Sequence, residues 1–407
     1  MKQQRRAMRP FGVVLILAAA FGAALFALSC SKAPDSAAAA TRVVAITPSE
    51  ASAPREFRGA EDFVRDYASD KGKPAVHAVF PDSKKPDEGA AIAAFIAKCA
   101  EDSGVAAILV APAPEGTAEG FRRAKQARPG LLCIASGSSE DALVVEASAD
   151  LVVDLDRLYR AYLAVWAAKK MGASSLVAAY AREEGDDPAA RRERAIMAAA
   201  SAALGLKYAA MTSPKGVAAD GFVRAGTGAW LRDYGPRAAL YCSAPDLVGP
   251  LLAGAVAGNG IVAEAAGEAT RAAYAEALGV DLTEAKGDAV KEKRLLENAA
   301  EALGMRGRLG LWDSGYGEAS LRGLGEFAMR VGAGTARKDD LKALLSALDA
   351  RSGGAAWLAD YDVDPDTGVK SANHVLVRQD IYVLGSGYLQ SALQSTPTEY
   401  FSLGAGK

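Results

Sequence analysis

The chain has 407 residues, 50% of them hydrophobic and 24% charged, with 47 basic against 49 acidic side chains for a formal charge of −2. That length exceeds one average domain, and the balanced charge offers no excess of cations to neutralise phosphates, which sets nucleic-acid binding aside. Four cysteines and two histidines leave little material for a disulfide framework or a histidine-rich metal centre.

Residues 1–30 read as a lipoprotein signal peptide. Lys2, Arg5, Arg6 and Arg9 form a positive segment, Phe11 to Leu28 is almost wholly apolar, and Ala27-Leu28-Ser29 leads into Cys30, the expected lipidation site. Leu28 stands where a small residue is commoner, so two alternatives stay open. One is cleavage in the Ala37 to Ala40 run. The other is retention of the apolar segment as an anchor, since about 18 residues just span a bilayer. Each places the chain from residue 41 onward outside the cytoplasm, away from ATP, NADH and the chromosome. Residues 31–40, with Pro34 and an alanine run, read as a tether.

Short apolar runs then alternate with amphipathic helices. Strands are predicted at 42–46, 75–80, 105–110, 131–134 and 151–153, with helices at 56–69, 88–100 and 117–127. The pattern restarts with a long helix at 158–170, followed by strands at 175–180, 207–212, 238–242 and 261–265. Helices at 188–204, 221–233 and 245–257 separate them. The strands are continuous hydrophobic runs, as in sheets covered on both faces. Later come a strand at 308–312, helices at 317–331 and 341–348, and an antiparallel pair at 355–361 and 374–383. Cys99, Cys133 and Cys242 fall on apolar stretches and read as buried free thiols.

The fold expected is α/β, two doubly wound parallel-sheet lobes joined by several crossing strands. The first lobe comprises 41–156 plus 306–338, the second 157–305 plus 339–395, and 396–407 is a loose tail.

Four segments carry a resemblance. Ala167 to Ala173 (AAKKMGA), Arg191 to Arg194 (RRER), Tyr234 to Cys242 (YGPRAALYC) and Val110 to Glu119 (VAPAPEGTAE) are similar to those of an uncharacterised, domain-of-unknown-function family of bacterial lipoproteins. That family has the type I periplasmic binding protein fold. The chain departs from it where Ala181-Arg182-Glu183-Glu184 replaces a Phe-Pro-Arg-His turn and Ala266-Gly267-Glu268-Ala269 replaces a Pro-Ser-Pro turn. The resemblance supports the fold more than any ligand; it is the export signal and the two-lobed fold that lead us to expect a small-molecule ligand, an ABC permease as partner, a membrane held through the lipid, and a monomer without cofactor.

Ligands of open α/β sheets sit beyond the carboxyl ends of the strands. The candidate ligand-binding residues there are Ser49, Pro112, Ser136, Ser138, Arg182, Ser243 and Asp246, with Glu264 at the last turn. Ser and Asp at helix starts also serve as plain caps. Trp312-Asp313 and Tyr361 add an aromatic ring beside a carboxylate, fit to stack on a flat ligand and accept its hydrogen bonds. The alternative is that Trp312 packs in the hinge and Asp313 caps the next helix. Asp364 to Gly368 resembles a calcium loop but has its glycine one position late and no closing acid, so it reads as a hairpin turn. Neither His77 nor His374 has a zinc-ligand spacing, and no metal or cofactor is expected. No phosphate loop, dinucleotide fingerprint or nucleophile elbow is present. Three functions stay in view: solute capture for an ABC transporter, ligand sensing or a degenerate cleft without transport, and an extracytoplasmic hydrolase.

Overall fold

In a computed structural model the described residues are 42–400 and 402–403, apart from 71–73, 82–87, 182–187, 265–270, 286–287, 353–356, 365–366, 392–393 and 395. The predicted lipidation site, the tether and Arg182 therefore lie outside the described residues.

The first array runs β1 (Arg42–Thr47), α1 (Pro54–Asp66), β2 (Ala75–Val79), α2 (Glu88–Ala100), β3 (Val105–Val110), α3 (Thr117–Ala127), β4 (Leu132–Ser136), α4 (Ala142–Glu146) and β5 (Leu151–Leu155). These strands pair in parallel. Each central strand feeds two cores through its alternating side chains. Leu109 and Ile134 pack with Phe63 of α1 on one face, while Ile108 and Val110 meet Ile96 and Phe121 of α2 and α3 on the other.

The chain restarts with α5 (Arg157–Lys170), β6 (Ser175–Tyr180), α6 (Pro188–Leu204), β7 (Lys207–Thr212), α7 (Ala219–Tyr234), β8 (Ala238–Cys242), α8 (Val248–Ala257) and β9 (Ile261–Val262). They form a parallel sheet in the order β7-β6-β8-β9. Two helices that the sequence reading leaves unassigned follow, α9 (Arg271–Leu278) and α10 (Ala289–Ala302). Tyr274 and Leu296 bring them onto the core with Val177 and Leu240. Short β10 (Gly310–Leu311) continues this lobe through a parallel bridge between Val262 and Leu309.

After β10 the chain returns to the first sheet as α11 (Tyr316–Gly332), then α12 (Leu341–Arg351). Helix α11 lies close against α1 because glycines face the contact. A Cβ on Gly325 would sit 2.6 Å from the Phe63 ring, and one on Gly59 would sit 2.8 Å from the Glu318 carbonyl oxygen. The antiparallel hairpin β11 (Trp357–Val363) and β12 (Lys370–Gln379) comes next, with Tyr361 opposite Val375. Its turn is the expected hairpin turn, where Gly368 takes φ +70° and its N–H donates to the Asp364 carbonyl at 2.8 Å.

The hairpin corrects the expected division. β12 pairs in parallel with β5, Val375 opposite Val153, giving a seven-stranded sheet ordered β11-β12-β5-β4-β3-β1-β2. Residues 341–379 therefore build onto the first sheet, not the second, and of 306–338 only α11 does so, since 309–311 align with β9. An apolar run states that a strand is buried and not which sheet edge it joins. The last crossing brings β13 (Tyr382–Val383) against β10 and β14 (Gly387–Tyr388) against β13.

A second correction concerns the C-terminus. Thr396 and Tyr400 are buried, and Tyr400 packs on Tyr162 of α5 with ring centroids 5.8 Å apart. Cys133 and Cys242 are buried as expected, Cys99 is only half-buried, none of the three is in a disulfide, and burial pushes the Cys133 thiol up to about 12. Such thiols are unreactive.

Deleting residues 396–407 uncovers the Tyr162 face of the second lobe and should cost about 3–5 kcal/mol in urea unfolding, the range for losing a buried aromatic side chain. A loose tail would leave the midpoint unchanged.

Candidate functional site

Three segments pass between the lobes, at 155–157, 312–316 and 379–382, and they lie side by side. The Asp156 N–H donates to the Val377 carbonyl at 2.9 Å, which joins the first crossing to the third. Asp156 also caps α5 by accepting the Tyr159 N–H at 2.9 Å. Gln379, fully buried, donates its amide to the Ser314 carbonyl at 2.8 Å and accepts the Ser314 N–H at 3.4 Å, which joins the third crossing to the second. The Arg378 guanidinium lies 3.9 Å from the Tyr159 ring centroid and pairs with Asp360 at 2.7 Å and Asp156 at 3.6 Å.

Around this hinge the predicted site residues separate into three groups. Ser49 and Ser138 act locally. Ser49 Oγ meets Ser52 Oγ at 3.3 Å, and Ser138 Oγ accepts the N–H of Glu140, whose carboxylate caps α3 at the Gly116 and Ala118 N–H groups. Pro112 and Ser243 are half-exposed at the ends of β3 and β8, and Asp246 is exposed in the turn beyond β8. Ser136 is buried, and its hydroxyl meets that of Tyr316 at 3.0 Å while Tyr316 donates to the Val153 carbonyl at 2.8 Å.

Trp312 and Tyr361 are not brought together. Tyr361 lies down β11 with its hydroxyl 3.5 Å from the Asp339 carbonyl and Lys370 over its ring. Trp357 takes the place assigned to it, meeting Trp312 edge-to-face at 6.3 Å and Tyr316 at 6.5 Å. Asp313 does not cap α11, whose N-cap is Gly315 without a side-chain bond. It is buried between the Lys293 ammonium, at 2.8 Å, and the Tyr388 hydroxyl. Trp312 and Asp313 point to opposite sides because successive residues of an extended segment alternate.

Beneath the strand ends of the second lobe lies a pair that sequence reasoning missed in part. Arg160 of α5 is 4% exposed and Glu264, just past β9, is 1% exposed. The Arg160 Nε is 3.0 Å from both Glu264 oxygens. Burial opposes the charge on Arg160, but Glu264, with Tyr241 behind it, raises its pKa above the usual value. Tyr241 lies 5.5 Å beneath the guanidinium, and burial holds its hydroxyl far above its ordinary range, so it stays neutral. Among the described residues, the polar atoms buried without a hydrogen-bond partner include Arg160 Nη2 and Tyr241 Oη here, and Trp312 Nε1, Ser314 Oγ and Arg378 Nε at the hinge. Arg160 escaped notice because one arginine in an alanine-rich helix reads as a solvated charge.

Comparison with known proteins now places the chain. The family model described as "Protein of unknown function (DUF3798)" matches residues 42–310, and a second family model matches 321–403. The chain belongs to the DUF3798 family. An uncharacterized protein of Treponema pallidum (strain Nichols) is 32% identical over 216 residues, which span 52% of this chain and 98% of that protein. A crystal structure from Clostridium difficile 630, described as a "putative transcriptional regulator", aligns with TM-score 0.73 at 18% identity over 84% of this chain and 98% of that one. A substrate-binding protein of a sugar ABC transport system from Bordetella parapertussis 12822 aligns with TM-score 0.45 at 13% identity, over 89% of this chain and 93% of that one. The fold of this DUF3798 member is two α/β lobes, each built on a mainly parallel sheet, with three crossings between them, and it is shared with the Clostridium difficile structure.

The hinge carries a pH signature. Burial first, with repulsion from Asp360 and Asp362, pushes Asp156 up to about 6 against the Tyr159 N–H and Arg378, which act in the opposite direction. A folded-state value above the unfolded one means that protonation stabilises the fold, and that contribution is lost as pH rises through about 6. Asp156→Asn keeps the capping oxygen and removes the charge, so it should stabilise the chain by on the order of 2 kcal/mol at pH 7.5 and by nothing near pH 4. Denaturant unfolding at the two pH values checks this, and a variant less stable than the parent at pH 7.5 contradicts it.

Proposed function

We propose that this chain is a solute-binding protein that is exported, held to the membrane by a lipid on Cys30, and closes its two lobes on a small polar or aromatic molecule for delivery to an ABC permease. The observation that carries the reading is the set of buried, unpartnered polar atoms, Arg160 Nη2, Tyr241 Oη and Trp312 Nε1. A buried donor without a partner costs roughly 1–3 kcal/mol. A ligand that accepts hydrogen bonds from these atoms recovers that cost, so the arrangement favours molecules rich in hydroxyl or carboxylate oxygen. Among the described residues no helix is long and apolar enough to cross a membrane, which leaves anchoring to the N-terminal segment. Ser243, Asp246 and Arg182, on the second-lobe turns, are the proposed polar contacts outside the buried set. Preformed walls brought together by hinge motion bury such a ligand without refolding either lobe.

Mass spectrometry of whatever copurifies with the protein identifies the ligand, and calorimetry on two conservative variants tests the contacts. Tyr241→Phe and Trp312→Phe remove one orphan group each. Tyr241→Phe should leave the ligand-free protein as stable as the parent or more so, Trp312→Phe should cost stability through the cavity it leaves, and each should weaken binding by about tenfold, equivalent to roughly 1.4 kcal/mol. Affinity unchanged in both variants would place the ligand elsewhere.

Anchoring has its own test. Cys30→Ser should change the N-terminal mass and release the protein from the membrane fraction. Identical mass and partition in mutant and parent would end the lipoprotein reading.

A further inference from the structure

At the far edge of the first sheet, His374 of β12 is 5% exposed and stands among three carboxylates from three other elements. Its Nε2 lies 3.0 Å from Asp154 Oδ2 of β5, and its Nδ1 lies 3.0 Å from Glu146 Oε1 of α4 and 3.5 Å from Asp362 Oδ2 of β11. The outward oxygens of the same carboxylates are all engaged. Asp154 Oδ1 accepts the Gly137 N–H at 2.7 Å, Glu146 Oε2 accepts the Ser371 hydroxyl at 2.7 Å, and Asp362 Oδ1 accepts the Val363 N–H at 2.9 Å. What is left turned inward is Glu146 Oε1, Asp362 Oδ2 and His374 Nδ1, with every pair within 4.8 Å.

The charge here does not balance. Three carboxylates face one imidazole, so even a protonated ring leaves two negative charges. The neighbouring cations are committed elsewhere, Arg378 to Asp156 and Asp360, and Lys370 to the face of Tyr361. The excess is felt as far as Asp156, whose ionisation Asp362 opposes. Asp154 at Nε2 fixes the ring orientation, the arrangement by which carboxylates orient metal-bound histidines, and an ion bound at Nδ1 would take the place of the proton that now faces Glu146 Oε1.

We propose that Glu146, Asp362 and His374 bind a divalent first-row transition cation. One nitrogen and two oxygen donors suit zinc or manganese, with solvent in the remaining positions, and are too few oxygens for calcium. The side chains of Glu146 and Asp362 are 17% and 32% exposed, which gives the ion a path in. Bound there, the ion ties α4 to the terminal hairpin. Through Asp154, which accepts the Gly137 N–H, it also holds the turn beyond β4 that carries Ser138. This site was not expected from the sequence, because Glu146 stands more than 200 residues before Asp362 and His374.

The test is calorimetric titration of the full chain, stripped with a chelator, with Zn²⁺ and separately with Mn²⁺. About one ion per chain should bind. Asp362→Asn and Glu146→Gln should each weaken binding at least tenfold, and Asp154→Asn by about 10–100-fold through loss of the orienting carboxylate. Asp362 is partly exposed and the substitution isosteric, so an unchanged far-UV spectrum and urea midpoint verify folding. Absence of saturable binding, or binding that all three variants leave intact, overturns the site.

Discussion

A fully buried glutamine amide, Gln379, is the interaction on which the arrangement of this protein depends. A buried amide without partners is expensive, and here both ends are satisfied by the backbone of Ser314 on a different crossing. With the Asp156 to Val377 bond on the other flank, the three segments that pass between the lobes become a small ladder in place of three free linkers. Lobe movement is therefore confined to the residues on either side of those bonds, and the lobes stay in register as they move.

The molecule handles buried charge in two ways, one in each lobe. In the second, Arg160 and Glu264 form a closed pair at 3.0 Å, which leaves one guanidinium nitrogen and the Tyr241 hydroxyl without partners. A buried pair of this kind gains little stability over a hydrophobic packing of the same volume, so its presence is better explained by what it can bind. In the first lobe, His374 holds three carboxylates apart and the sum stays negative. One site has donors to spare and the other has acceptors to spare. These are the features on which the proposed oxygen-rich solute and the proposed cation rest.

The βα alternation was legible because each element announces itself over a few consecutive residues. Leu132–Ser136 and Ser175–Tyr180 are buried along their whole length, as their unbroken apolar runs imply. Helices α9 and α10 went unread, since their alanine-rich stretches carry a weak apolar stripe, with Tyr274, Ala275 and Leu278 buried on the first and Leu296 and Ala300 on the second. At the candidate site, Trp312 lies in a crossing segment and Ser136 meets Tyr316 beside it, while Tyr361 lies away from both. Its position four residues along β11 from Trp357 carries it away from the crossings.

The sequence by itself determined the periodicity, the two successive arrays and the buried thiols, because these rest on interactions between residues close in the chain. Only the tertiary structure decided that residues 357–379 complete the first sheet, that the C-terminus packs on α5, and that Arg160 meets Glu264. Those outcomes depend on which exposed sheet edge or uncompensated charge is left when the lobes have formed, and residues a hundred or more positions apart supply each partner. Local pattern fixes what a segment is, and the unmet hydrogen bonds and charges of distant segments fix where it goes.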